Sequence, residues 1–258
     1  MSTIKKEQNI KKILKEFLPS VETKFSILKG DLLEKSEKKF IFNNPNAFII
    51  GLIADQSVKA ELAWSLPYNL YKRLGTFDFK VIIKNFDVLT LEQVIKQKPA
   101  LHRYPNRMAN YIYLAIKKIV NEYNGNAKEI WQNQKASVIV QRLEEFKGIS
   151  HKKTSLGTLL LVRDLDVNIE DKNNIDIAYD VHIRRIFLRM GLVDKDTQDN
   201  VVNEAKKINP EFPGELTTPF WAIGREYCFA NNPDCINCPL KDCCEEYNNI
   251  KRNKKVGV

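Results

Sequence analysis

The chain has 258 residues, 43% hydrophobic and 28% charged, an ordinary globular mixture that excludes a disordered polar polypeptide. Its 41 Lys+Arg against 32 Asp+Glu leave a formal charge of +9, which points first to nucleic acid and more weakly to anionic lipid. The longest uncharged apolar runs, 48–54 and 156–162, fall far short of the ~20 residues that span a bilayer, and the lysine-studded start MSTIKKEQNIKKILKEF has no signal-peptide core, so a cytoplasmic protein without a membrane partner is expected.

In chain order, Ile10, Ile13, Leu14, Phe17 and Leu18 recur at three- and four-residue steps, the mark of one apolar helix face. Leu62, Leu66, Leu70 and Leu74 repeat the pattern, with Pro67 expected to kink or interrupt it. Helices are predicted over 108–120 and 138–146, then over 156–162 and 181–190, with Gly191 placed to end the last. Between them, 163–176 (RDLDVNIEDKNNID) reads as an acidic loop and 209–219, with three prolines, as an irregular connection. The basic tail 251–258 reads as frayed. The fold class is all-α, with about ten helices and no internal repeat.

All five cysteines fall between 228 and 244. Cys228, Cys235, Cys238 and Cys244 are spaced C-x6-C-x2-C-x5-C, with Cys243 left over as a stray fallback ligand. A disulfide framework would be spread along the chain it staples. Four thiolates in one short segment suit a structural zinc or a [4Fe–4S] cluster instead. Common zinc modules carry two C-x2-C-like pairs and this segment has one, which favours iron–sulfur.

This run, with its surroundings CFANNPDCINCPLKDCC and the Pro239 after the third cysteine, resembles the cluster loop of the endonuclease III family of helix-hairpin-helix DNA glycosylases. Upstream, FKGISHKKTS (146–155) resembles the family's hairpin, with Lys147 where proline is usual and Ser150 in place of the second glycine. Gly148 lets the backbone approach a phosphate, and the helix start that follows offers N–H groups to the anion. Gly148, Ser150 and Lys153 are thus expected at DNA. A gapless alignment from Gly148 puts Lys152 at the catalytic lysine's position; a one-residue bulge would put Lys153 there.

AYDVHIRR (178–185) resembles the family segment whose Asp is catalytic, which makes Asp180 the match, with His182 and Arg185 at neighbouring family positions. Read from the residues alone, Asp180 is the N-cap of the helix starting at Val181, and no chemistry is assigned to His182. LIADQSVK (52–59) resembles the segment whose glutamine fills the gap left by an extruded base; Gln56 is the match, and the competing reading is a surface glutamine at a helix start. HRYPNR (102–107) offers Tyr104 for stacking, or simply a turn at Pro105.

The resemblance implies two all-α lobes: a segment 1–43 packing with the cluster lobe, a helical barrel 44–170 with the hairpin, a cluster lobe 171–250 and the tail 251–258. It implies a monomeric base-excision glycosylase with abasic-site lyase activity, acting on double-stranded DNA with a damaged or mismatched base. Lys152 and Asp180 are its catalytic pair, and a structural [4Fe–4S] cluster folds a loop that presents Arg225 and Lys241 to phosphates. Endonuclease III itself suggests oxidised pyrimidines. The rivals are a glycosylase in which Asp180 activates water, a non-catalytic DNA-binding iron–sulfur protein, and an electron carrier.

Overall fold

The computed structural model describes residues 3–256, and every regular element among them is helical. Thirteen α-helices stand where the periodicity predicts about ten, because connections that carry their own caps fold into short helices. The chain divides into two compact units. Helix α1 (Thr3–Phe25) opens the first; the chain leaves it after Phe25 and re-enters it at Asp171.

The second unit, residues 26–170, is built on a helix that is apolar all round. Helix α2 (Lys35–Asn43) leads into α3 (Pro45–Ala54), where Pro45 fits the first turn and every residue from Ala47 to Ala54 is buried. The sequence reading groups α2 with the N-terminal segment, yet it packs in this unit. Phe40 stacks on Tyr71 and meets Phe77 edge-on, each at 5.0 Å between ring centroids.

Helix α4 (Ala60–Leu74) crosses α3 and runs unbroken through Pro67 to a left-handed Gly75. The missing hydrogen bond at proline, about 3 kcal/mol in a helix interior, is offset by burying Trp64, Leu66, Pro67 and Leu70, each large apolar side chain contributing roughly 1.5–3 kcal/mol. Gly51 of α3 permits the crossing: a Cβ there would lie 2.6 Å from the Trp64 ring.

Helices α5 (Phe79–Asn85) and α6 (Val88–Lys96) are started by the side chains of Asp78 and Asp87, which accept from first-turn amides. They pack on α7 (Pro105–Glu122). The hairpin joins α8 (Ala136–Glu144) to α9 (His151–Arg163). The stretch after α9 is non-helical but for a turn at Lys172–Asn174. Its Asp164 is fully buried and accepts from Ser26 Oγ (3.0 Å) and Leu28 N (3.2 Å), so it ties the unit's two ends together instead of serving as solvated slack.

In the first unit, α1 packs on α11 (Gln198–Ile208) and α12 (Thr217–Glu226), and α12 on α10 (Val181–Arg189). Ile10 and Leu14 join Ile183, Phe187, Val201 and Phe220 in one core. Gly191, at φ 62°, follows α10 as the sequence predicts. In 209–219, expected to be irregular, 213–216 forms a short 3-10 turn and 217–219, with Pro219, already belong to the first turn of α12. Helix α13 (Glu245–Val256) carries regular structure into the tail predicted to fray; residues 257 and 258 lie outside the described residues.

The α3–α4 crossing yields a direct test. Gly51→Ala forces Trp64 out of its packed position and is expected to cost about 1–3 kcal/mol, read as a lower denaturation midpoint in urea. An unchanged midpoint would contradict the close approach.

Candidate active site

Three sequence motifs meet at the C-terminal end of α3. The last carbonyls of a helix have no partner within it and carry the negative end of its dipole. Here those carbonyls are buried, so their donors come from elsewhere in the unit.

Lys153 supplies one. It lies in the first turn of α9, four residues before Gly157, so both occupy one helix face. A Cβ at Gly157 would come within 2.6 Å of Leu52 Cδ2, so glycine lets α9 approach α3 closely. That approach brings Lys153 Nζ to Ile53 O at 2.7 Å, and it also donates to Gly148 O at 3.0 Å. Gly148 makes the turn at φ 91°, where a Cβ would strike the Tyr111 ring at 2.4 Å. Lys153 is only 7% exposed, and burial pulls its amine down to about 8, with the Asp55 carboxylate opposing and the Lys152 cation assisting that shift.

Lys152 is different. It is exposed on the next position of the helix, with no carbonyl holding its amine among the described hydrogen bonds. Ser150 is the N-cap of α9 and makes no side-chain cap bond. The gapless alignment thus selects the solvated lysine, and the one-residue bulge selects the buried one.

His102 supplies the second donor. Its ring is 1% exposed; Nδ1 accepts from Tyr104 N at 3.1 Å, which leaves Nε2 to donate to Ala54 O at 3.2 Å. Burial lowers its pKa, and the nearby Lys153 cation adds to that, so the ring is a neutral, buried structural donor. Tyr104 beside it is exposed, with the guanidiniums of Arg103 and Arg107 over its ring at 5.4 and 5.3 Å.

Gln56 supplies a third, its Nε2 donating to Ile53 O at 2.7 Å. It lies in the loop between α3 and α4, not at a helix start, next to Ser57 at φ 58°. Asp55, the α3 C-cap, accepts from Trp64 Nε1 at 3.3 Å. Burial raises its carboxyl, against the Trp64 hydrogen bond and the cations of Lys152 and Lys153. Sequence reasoning passed over Asp55. Its signal is an acid placed directly after eight buried apolar residues and directly before Gln56.

The first unit carries the other candidates. Asp180 caps α10 as predicted, its Oδ1 accepting from His182 N and Ile183 N at 2.9 Å each. Arg185 ties that helix start to the cysteine segment: Nε donates to Cys228 O (2.8 Å) and an Nη to Gly224 O (3.1 Å) and His182 Nδ1 (2.9 Å). Accepting that bond makes His182 a neutral packing residue, in line with its burial-lowered pKa.

Cys228, Cys235, Cys238 and Cys244 line one pocket, walled by Ile186 and Ile223 among others. Arg189 braces the segment, donating to Phe229 O (2.7 Å), Ala230 O (2.9 Å) and Cys228 Sγ (3.4 Å). Among the described residues no three His, Cys, Asp or Glu side chains stand close enough to hold a metal ion; the four sulfurs border a shared space without converging. Burial raises the Cys238 thiol to about 12, and its sulfur neighbours add to that, an arrangement a cationic group between them would relieve. Cys243 is no fallback ligand. It is 5% exposed, lies outside the pocket, and its Sγ accepts from Asn9 Nδ2 at 3.2 Å. Lys241 donates to Ile236 O at 2.9 Å, an exposed bond within the loop, while Arg225 lies over the Trp221 ring at 4.7 Å.

The sequence model of the HhH-GPD superfamily of base excision DNA repair proteins matches residues 50–211. Endonuclease III of Bacillus subtilis is 23% identical over 234 residues, 88% of this chain and 91% of that protein. Endonuclease III of Rickettsia conorii is 38% identical over 77 residues, which cover 29% of this chain and 36% of the relative's length. A trapped endonuclease III–DNA covalent intermediate shares the fold with a TM-score of 0.67 at 20% identity, over 98% of this chain and 100% of that one. A thermostable thymine-DNA glycosylase does so at 0.69 and 12% identity, over 96% and 100%.

Burial of Lys153 gives stability a pH signature. Its folded pKa lies below the unfolded 10.5, so the unfolded chain binds more protons between the two values and stability rises with pH from about 8 to 10.5. Relative to Lys153→Met, the wild type is expected to gain up to about 3 kcal/mol between pH 7 and 10.5, from 1.36 kcal/mol per unit. Denaturation of both proteins across that range checks it; parallel curves would contradict a buried, depressed amine.

Proposed function

The chain belongs to the HhH-GPD superfamily of base excision DNA repair proteins, and from that premise we propose that it is a DNA glycosylase with abasic-site lyase activity whose nucleophile is Lys153. The observation that carries this reading is the buried Lys153 amine, held by Ile53 O at the end of α3 and by Gly148 O of the hairpin, and lowered to about 8 by burial. A neutral amine keeps two N–H donors for Ile53 O and Gly148 O and has one valence left, the lone pair. That lone pair attacks the deoxyribose C1′ of an extruded nucleotide, and the N-glycosidic bond breaks with its electron pair leaving on the base. The nitrogen then loses a proton, the C1′–O4′ bond opens with its electron pair and a proton ending on O4′, and the iminium so formed acidifies C2′. Loss of the C2′ proton expels the 3′ phosphate by β-elimination and cleaves the strand.

The remaining candidates take supporting roles. Lys152, exposed beside the hairpin, is reassigned from nucleophile to phosphate contact, with Gly148 and Ser150 at the same backbone. Gln56 fills the gap in the duplex after giving up Ile53 O, and Tyr104 with its two arginines offers a stacking surface. Asp180, fixed by two backbone amides at the start of α10, takes the role of the family's catalytic carboxylate. The protein acts as a monomer on double-stranded DNA carrying a damaged or mismatched base.

We further propose that Cys228, Cys235, Cys238 and Cys244 hold a [4Fe–4S] cluster. An all-sulfur donor set bordering a shared pocket suits a multi-iron group better than one zinc, which needs four sulfurs about 2.3 Å from a single point. When bound, the cluster supplies structural cohesion. Through Cys228 O and Arg185, the folded segment bears on the helix that carries Asp180.

Two experiments test these readings. Borohydride should trap wild type and Lys152→Ala on abasic and damaged duplexes but not Lys153→Ala; a trapped Lys153→Ala would refute the assignment, and no adduct from any protein would leave excision by activated water. Iron analysis of the purified protein should show Cys243→Ala fully loaded and Cys235→Ala depleted. Equal iron in both would contradict the ligand set.

A further inference from the structure

Lys153 has a carboxylate in its own unit that the reading above leaves unused. Asp55 follows Ile53, the residue whose carbonyl takes the Lys153 amine, by two positions, and the Trp64 indole N–H fixes its Oδ2 at 3.3 Å. Two of the three ammonium protons are committed to Ile53 O and Gly148 O. The third is the one that must leave before the nitrogen can attack.

We propose that Asp55 is the proton acceptor for Lys153, a positioning residue that readies the nucleophile inside the closed site. The inference rests on Lys153 being the nucleophile. In the step, the third N–H bond breaks and its electron pair stays on Nζ as the attacking lone pair. Among the described residues no ion pair joins the two side chains directly, so the proton crosses through one water and forms an O–H bond on Asp55; ammonium and carboxylate become amine and carboxylic acid. Burial moves both groups in the direction that makes this transfer easier: Asp55 is raised and Lys153 lowered. The other charged or titratable groups that bear on Lys153 are Lys152 on α9 itself and the neutral His102 from the segment before α7. Neither is placed to take a proton from it: one is a cation, and the other has both ring nitrogens engaged.

The test is Asp55→Asn, which keeps an oxygen for the Trp64 indole and removes the charge. Borohydride trapping on an abasic duplex is measured at pH 6 and pH 9. At pH 9 the amine of the unliganded protein is already neutral, and the variant should match wild type closely. At pH 6 the proton must be taken within the complex, and trapping should fall on the order of a hundredfold, the lower range for a lost general base. Faster trapping at pH 6 would overturn the proposal by showing that Asp55 acts only as a counter-charge, since removing an anion lowers the lysine pKa. An equal loss at both pH values would also overturn it, marking a structural role. A wild type that yields no adduct at either pH removes the nucleophile reading and this one together. If the variant does not fold, wild-type NMR carries the test: the Lys153 Cε resonance should respond to titration of the Asp55 carboxyl, and an unresponsive resonance would refute the pairing.

Discussion

The last carbonyls of α3 are buried, and a buried carbonyl without a donor costs about 1–3 kcal/mol. That requirement organises the second unit. Lys153 Nζ answers at Ile53 O, His102 Nε2 at Ala54 O and the Gln56 amide at Ile53 O again. Each donor comes from a segment far away in sequence or folded back on itself, so satisfying one helix end also fixes the hairpin, the segment before α7 and the loop after α3. The same contact that completes the fold strips water from an amine and pulls its pKa down to about 8. Structure and chemistry here share one cause.

Close approach is the second ingredient. Gly157 lets α9 reach Leu52, Gly51 lets α3 reach Trp64, and Gly148 lets the hairpin turn against Tyr111. Each lacks a side chain where a Cβ would fall within 2.6 Å of a packed neighbour. In the first unit, close contact is supplemented by arginine. Arg185 and Arg189 reach from α10 to the carbonyls of the cysteine segment, so the start of that helix, with Asp180 on it, is braced by the segment.

Much of this was legible in the sequence for physical reasons. Helical periodicity reports one-sided burial, and the all-α class follows from it. Asp180 as an N-cap and Gly191 as a stop follow from local backbone rules that hold wherever the helix sits. That Cys228, Cys235, Cys238 and Cys244 border one pocket was legible because they cluster in a short segment. The choice between Lys152 and Lys153 was not, because adjacent helical residues point about 100° apart and only the packing of α9 on α3 says which turns inward. Asp55 stayed hidden since its surroundings, the Trp64 indole and the Lys153 amine, are brought near only by folding. Pro67 misled because the burial that carries its helix through is invisible in the pattern. Cys243 and α2 misled likewise, each engaged by a neighbour that local sequence does not reveal.

The central claim is that burial against the end of α3 makes Lys153 the nucleophile. Its most direct test is peptide mapping of the borohydride-reduced protein–DNA adduct by tandem mass spectrometry. The account predicts the sugar remnant on Lys153, with Lys152 unmodified in the same peptide. A remnant on Lys152, or on any lysine outside the hairpin, would contradict it.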